Sequence, residues 1–243
     1  MASYYLSSAF WWFKTDAGLA TRIAIGVGVF AVLGIVDLVR NGRSAQRWRE
    51  HVFLVCAAVA GMAYGIANDA VTSSISWEYY FYGKGLDQVM PAQTPPDAGA
   101  LRLRAMSIGC KAGGSAGVLI GALLLIANNP RAGLRRLTYR QLSFQIAVIY
   151  IITICFSLAL GIAGGLGWLL WTSNDLVALW QSGDYRPRHF VGVYGIHLGA
   201  YVGGALGTLI VLLHVARSRK NEAPIAIVKT QSPAASTPLL PLW

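Results

Sequence analysis

Gly109-Cys110-Lys111-Ala112-Gly113-Gly114-Ser115-Ala116-Gly117-Val118-Leu119-Ile120-Gly121 places glycine at every fourth position, and Gly195, Gly199, Gly203 and Gly207 repeat the pattern nearer the C-terminus. Each interior glycine weakens a water-exposed helix by about 1 kcal/mol relative to alanine. In lipid the same stripe lets one backbone approach another, so the pattern predicts close helix pairs inside a membrane.

The composition agrees with that reading. Of 243 residues 55% are hydrophobic and 12% charged, with mean hydropathy +0.51, and the charges gather between long apolar runs. Five runs reach the roughly 17 to 25 residues a hydrocarbon core requires: 22–39, 51–71, 106–127, 144–171 and 190–214. The sequence therefore predicts an all-α membrane protein, a bundle of five transmembrane helices. Residues 1–20 read as an interfacial aromatic segment, because Tyr4, Tyr5, Phe10, Trp11, Trp12 and Phe13 prefer headgroup depth and no basic n-region or cleavage site marks a signal peptide. Residues 21–216 form a single transmembrane bundle. Residues 217–243, rich in Ala-Pro, Ser-Pro and Thr-Pro, read as a flexible cytoplasmic tail.

Orientation follows from arginine and lysine. If five helices alternate, Arg40, Arg43, Arg47, Arg49, Arg131, Arg135, Arg136, Arg140, Arg217, Arg219, Lys220 and Lys229 all fall on one side, against Asp37, Glu50 and Glu222. That side is cytoplasmic, which puts the N-terminus outside. The net charge of +10 is thus spread over short loops without a binding module, so it points to lipid headgroups and not to nucleic acid. Cys56, Cys110 and Cys155 sit inside predicted spans as small apolar packers.

The two outer connections differ. Residues 72–105 form a long one with a Gln93-Thr94-Pro95-Pro96-Asp97 turn, and residues 172–189 a shorter one. Gly109, Gly113, Gly114 and Gly117 match Gly199, Gly203, Gly204 and Gly207 at an offset of 90, and Gly61 and Gly65 match Gly161 and Gly165 at 100. Two helical hairpins of equal orientation would leave such a pattern, as would the glycine bias of lipid-spanning helices.

Candidate chemistry concentrates on the outer side. Asn68, Asp69, Thr72 and Ser76 share a helix face if the second span continues, and Glu78 follows. A carboxylate at that depth needs a partner. Two readings stand side by side there, an ion, proton or metal site and a helix end whose hydroxyls satisfy its last carbonyls. Lys111, one turn inside the third span, offers a cation, or a snorkelling side chain. Tyr194, His197, Tyr201 and Thr208 line the face of the fifth span opposite its glycines; a histidine there relays a proton, binds a metal or bonds a neighbouring helix. Convergence of Asn68, Asp69, Lys111 and His197 on one outward-facing pocket is the expectation. Asp37 is expected to meet Arg40 or water.

Tyr64 through Phe81, with its Asp69-Ala70-Val71-Thr72 and Ser76-Trp77-Glu78-Tyr79 steps, together with His197-Leu198-Gly199-Ala200-Tyr201-Val202-Gly203-Gly204, resembles a widespread group of uncharacterised bacterial membrane proteins. Members carry a helix-end Asp before Val or Ile and Thr, a Ser-Pro-Glu-Tyr-Phe-like segment, and a later His with Tyr-x-Gly-Gly. Here Trp77 stands in place of the proline, and Leu198 and Ala200 in place of Asn and Ser. The resemblance implies a bacterial inner-membrane location and no particular reaction.

No GxSxG, HExxH, phosphate loop, dinucleotide fingerprint or Cys/His metal spacing occurs in a fitting context, so no cofactor is indicated. Three functions stay open. The first is an integral membrane protein binding an ion or small ligand in a polar outer pocket. The second is a structural or assembly subunit that packs partner helices, or copies of itself, through glycine faces. The third is a membrane-embedded enzyme using Asp69, Glu78 and His197.

Overall fold

A computed structural model of the chain describes residues 16–42, 45, 47–90, 95–130, 134–169 and 186–221. They form five helices, α1 (Asp16–Asn41), α2 (Arg47–Ile75), α3 (Ala98–Ala127), α4 (Tyr139–Gly165) and α5 (Pro187–Asn221), with a π-helical turn at Tyr79–Gly83 and a 3-10 turn at Leu86–Gln88 between α2 and α3. Among the described residues there is no strand, and α2, α3, α4 and α5 (to Lys220) are each long and apolar enough to cross a membrane. Met1–Thr15, most of the expected interfacial segment, lies outside the described residues, while Asp16–Ala20 already belongs to α1.

Local chemistry sets the helix ends. Asp97 caps α3, its Oδ1 accepting from the Ala100 amide at 2.6 Å. Thr138 and Gln141 close a capping box on α4, and Pro187 opens α5, where a missing N–H costs nothing. Asp37, expected to meet Arg40 or water, accepts instead from the Asn41 side chain at 2.7 Å and the Arg47 amide at 2.8 Å. It thereby caps α2 from the helix before it. The fourth span was expected to run to residue 171. It stops at Gly165, because Gly167 takes φ +80° and a Schellman motif follows, Gly167 N–H donating to Gly164 and Trp168 N–H to Ala163. The outer connection 72–105 is shorter than expected, since helix continues to Ile75 and resumes at Ala98. Residues 170–185, most of the other outer connection, lie outside the described set.

Two antiparallel hairpins make the bundle. α2 packs along α3 and α4 along α5, far more extensively than any other helices meet, and α1 rests mainly on α2. In the first hairpin a Cβ on Gly61 would run into the Gly113 carbonyl, one on Gly65 into the Gly109 carbonyl, and one on Gly117 into that of Ala57. Gly121 lies against the Ala57 methyl, 2.9 Å from where its own would sit. In the second, Gly195 faces the Leu160 carbonyl, Gly199 that of Phe156, Gly203 the Thr153 backbone and Gly207 that of Ile149. The register differs between the hairpins, however. The offsets of 90 and 100 would set Gly161 against Gly203 as Gly61 is set against Gly113, but Gly161 meets Ile196 and Gly192. The hairpins share an arrangement and not a residue-by-residue match.

Two apolar clusters fill the bundle. The one toward the start of α2 gathers Phe53, Ile120, Leu124, Leu142, Ile149 and Val215, and the one toward its end Tyr80, Phe81, Leu86, Leu101, Phe190 and Val193. Just past the end of α3, Asn128 pairs with the Leu137 backbone in both directions, at 2.9 and 2.8 Å. Arg136 pairs with Glu50. Arg219, placed in the flexible tail by sequence, is buried, and residues 217–221 belong to α5. Its guanidinium donates to the carbonyls of Ala127, Asn129 and Arg135, so main-chain oxygens at the end of α3 and in the segment before α4 supply the acceptors where an acid would otherwise be required.

Gly113→Val should lower stability by about 3 kcal/mol or more, since the added carbons meet unyielding backbone. Gly28→Ala, with nothing within 4 Å of its Cβ position, should shift it little. Thermal unfolding in detergent micelles checks both.

Candidate functional site

The last two turns of α2 carry Asn68, Asp69 and Thr72, Ser76 follows directly, and the chain then folds back as the π-helical turn, laying Tyr79 and Tyr80 against α5. Such turns displace side chains from the regular helical phase and recur at functional sites. Gly85, at φ +70°, turns the chain out again.

Asp69 is 3% exposed and His197 7%. Their closest approach, Asp69 Oδ1 to His197 Nε2, is 3.8 Å. That is an ion-pair distance and not a hydrogen bond. The Tyr80 hydroxyl, on a fully buried ring, lies 3.1 Å from His197 Nε2 and 2.6 Å from Thr72 Oγ1. Thr72 also donates to the Asn68 carbonyl at 2.7 Å, and Asn68 Nδ2 donates to Asp69 Oδ1 at 3.1 Å. Asn68, Asp69, Thr72, Tyr80 and His197 thus form one network across the seam between the hairpins.

Aromatic rings enclose it. Tyr79 stacks on the His197 imidazole, centroids 4.9 Å apart and planes 15° from parallel, and Phe190 meets Tyr79 edge-on. The Lys84 ammonium sits 5.5 Å from the Tyr79 ring centroid. Burial pushes the Tyr79 and Tyr80 hydroxyls well above the ordinary tyrosine range, so both keep their protons.

A second polar pair flanks the network. Ser76 donates to Glu78 Oε2 at 2.7 Å, and Glu78 Oε1 accepts from the Arg186 amide at 3.4 Å. Glu78, 1% exposed, therefore satisfies the N-terminus of α5 and ties that helix to the turn after α2. It does not join Asp69 and His197 around a common point: among the described residues no three His, Cys, Asp or Glu side chains are grouped to hold a metal ion.

Of the residues read from sequence, Asn68, Asp69, Thr72 and His197 come together, and Ser76 and Glu78 adjoin them. Lys111 lines a separate apolar recess with Gly26, Phe30 and Met62. Its position two residues from Gly109 turns it away from the α2–α3 seam. Tyr201 is 61% exposed, one turn deeper along α5 than the aromatic cluster covers. The expected four-way convergence thus loses its lysine, and the cation beside the aromatic enclosure is Lys84, against the Tyr79 ring. Sequence reasoning missed Tyr79, Tyr80 and Lys84. The run of aromatics at 79–82 was the available signal, and it reads equally as a headgroup belt.

Comparison with family models, with curated proteins and with solved structures finds no match.

Tyr80→Phe keeps the ring and removes the one hydroxyl that touches both Thr72 and His197. It should cost about 1 to 2 kcal/mol, the range for a partner withdrawn from buried polar groups. Denaturant titration in detergent, with Tyr201→Phe at an exposed position as the control, reads the difference.

Proposed function

We propose that the protein is a five-span integral membrane protein, N-terminus outside and C-terminus cytoplasmic, that binds a small cation at its outer end, with Asp69 as the anionic ligand and a proton as the ion that fits best. The observation that carries this reading is the Asp69–His197 approach of 3.8 Å across the hairpin seam, with the Tyr80 hydroxyl hydrogen-bonded to the imidazole. A carboxylate and an imidazole side by side offer two exchangeable proton positions, and the hydroxyls of Tyr80 and Thr72 extend the hydrogen-bonded chain. Every member but Asn68 is buried. A proton needs no wider entry than such a chain, whereas a hydrated ion would have to part the rings of Tyr79 and Tyr80.

Supporting the five-span arrangement, α1 has 26 residues and exposes Ile25, Val29, Val32, Leu33 and Val36. A lipid environment makes that exposure favourable, and the arginines of the 40–49 and 131–140 segments and the α5 terminus then share one leaflet. The resemblance to bacterial membrane proteins supports an inner-membrane location. The assembly reading draws less support, because the glycines it relied on face helices of the same chain. The enzyme reading draws less still, because Glu78 is engaged with Ser76 and the α5 terminus.

Asp69→Asn replaces the carboxylate with a near-isostere. Potentiometric titration of the purified proteins in weakly buffered detergent should show the wild type taking up about one proton per chain more than the variant between pH 8 and pH 3. Identical uptake by two folded proteins would remove Asp69 as the ligand.

A further inference from the structure

A groove of about 400 Å³ runs between α4 and α5, with Ile75 at the end of α2 on its border. Its floor is glycine: Gly161 and Gly165 on α4, Gly192 on α5. Nothing lies within 4 Å of the position a Gly165 Cβ would take. Leu158, Ile162 and Ile196 form apolar sides. From Leu158 to Gly165 the helix advances about 10 Å, so the groove is a narrow channel along the helices with room for a chain and not for a bulky head.

Its chemistry changes at one end. Arg188 and His189, in the first turn of α5, line the outer mouth, and both are exposed. The deeper walls carry no charge. The helix N-terminus adds positive dipole at the same place. Glu78, whose carboxylate accepts from the Arg186 amide, is buried beneath this turn and engaged there. One apolar slot ending in a guanidinium at headgroup depth matches an amphiphile with a hydrocarbon tail and an anionic phosphate head, which a planar arginine fork binds through two parallel hydrogen bonds.

We propose that the α4–α5 groove is a specific site for an anionic phospholipid of the outer leaflet, one acyl chain lying over Gly161, Gly165 and Gly192 and the phosphate held by Arg188 with His189 beside it. The site rests on the membrane-spanning reading and is separate from the Asp69 network. A general annulus of lipid would show no preference for head charge, whereas this arrangement requires one.

The experiment is native mass spectrometry of the full chain released from mixed micelles holding phosphatidylglycerol and phosphatidylcholine with the same acyl chains. The wild type should retain one phosphatidylglycerol at least about tenfold more than phosphatidylcholine, a ratio worth about 1.4 kcal/mol. Arg188→Gln with His189→Gln, both at exposed positions, should bring the ratio near one. Gly165→Leu, which fills the slot from an open position, should lower retention of both lipids, and circular dichroism melting confirms that each variant is folded. Equal retention of the two lipids by the wild type would overturn the proposal, as would an unchanged ratio in the Arg188/His189 variant or displacement of the lipid by millimolar inorganic phosphate. Asp69→Asn should leave the ratio as in the wild type, so failure of the ion site and failure of this one are read separately.

Discussion

The contact between the backbones of α2 and α3 sets the whole arrangement around Asp69. Gly65 and Gly109 each sit where a Cβ on the other would strike a carbonyl, and the position a Gly109 Cβ would take is only 2.8 Å from Asp69 Cγ. The missing side chain therefore does two jobs. It lets the helices close, and it leaves the space the Asp69 carboxyl group occupies. Between lipid-embedded helices no hydrophobic force favours association over solvation by acyl chains, so close dispersion contact must hold the pair. A glycine row that would weaken a helix in water is here the condition for both the fold and the placement of its buried acid.

The two hairpins join differently along their length. In the middle, Tyr64 reaches Ser157 across 3.3 Å and its ring lies 5.3 Å from that of Tyr150. At one end Arg219 binds three carbonyls at and beyond the end of α3. At the other the Tyr80–His197 bond and the Glu78 contact with the Arg186 amide complete the connection. Polar ties of this kind gain weight in a low-dielectric surrounding, because a group left without its partner has no water to turn to. The two apolar clusters join residues of both hairpins, and these named bonds fix the relative placement that their packing leaves open.

Much of the architecture was legible because it rests on periodicity and hydropathy, which survive in a single sequence. The glycine phase placed Gly109, Gly113 and Gly117 on one face, and the same phase turned Lys111 off that face, two residues being about 200° of helix. Helical spacing likewise grouped Asn68, Asp69 and Thr72. Spacing failed where the helix gives way to the π-helical turn: Tyr79 and Tyr80 reach His197 only because the chain folds back after Ile75, and no residue period encodes that return. The end of α4 was misplaced for a related reason, since an apolar run continues through Leu166, Trp168 and Leu169 while the αL conformation of Gly167 stops the helix. Arg219 read as the start of a tail because its partners are main-chain carbonyls that composition does not announce.

The end of α4 and its composition explain why the second hairpin has no counterpart of Asp69. Hairpin one continues past its helix as a buried aromatic turn, whereas α4 ends at its Schellman motif after Gly165. The stretch Ile152 to Gly165 carries no acid, so nothing on α4 corresponds to Asp69. The second hairpin contributes an imidazole and a hydrogen-bonding helix end instead. An acid from one half and an imidazole from the other therefore meet at this seam, and any movement of α5 against α2 would change the distance between Asp69 and His197 directly. A site built within a single hairpin, clamped by glycine contacts, would lack that sensitivity. The geometry that brings the pair together is thus the geometry most exposed to a change in how the hairpins sit.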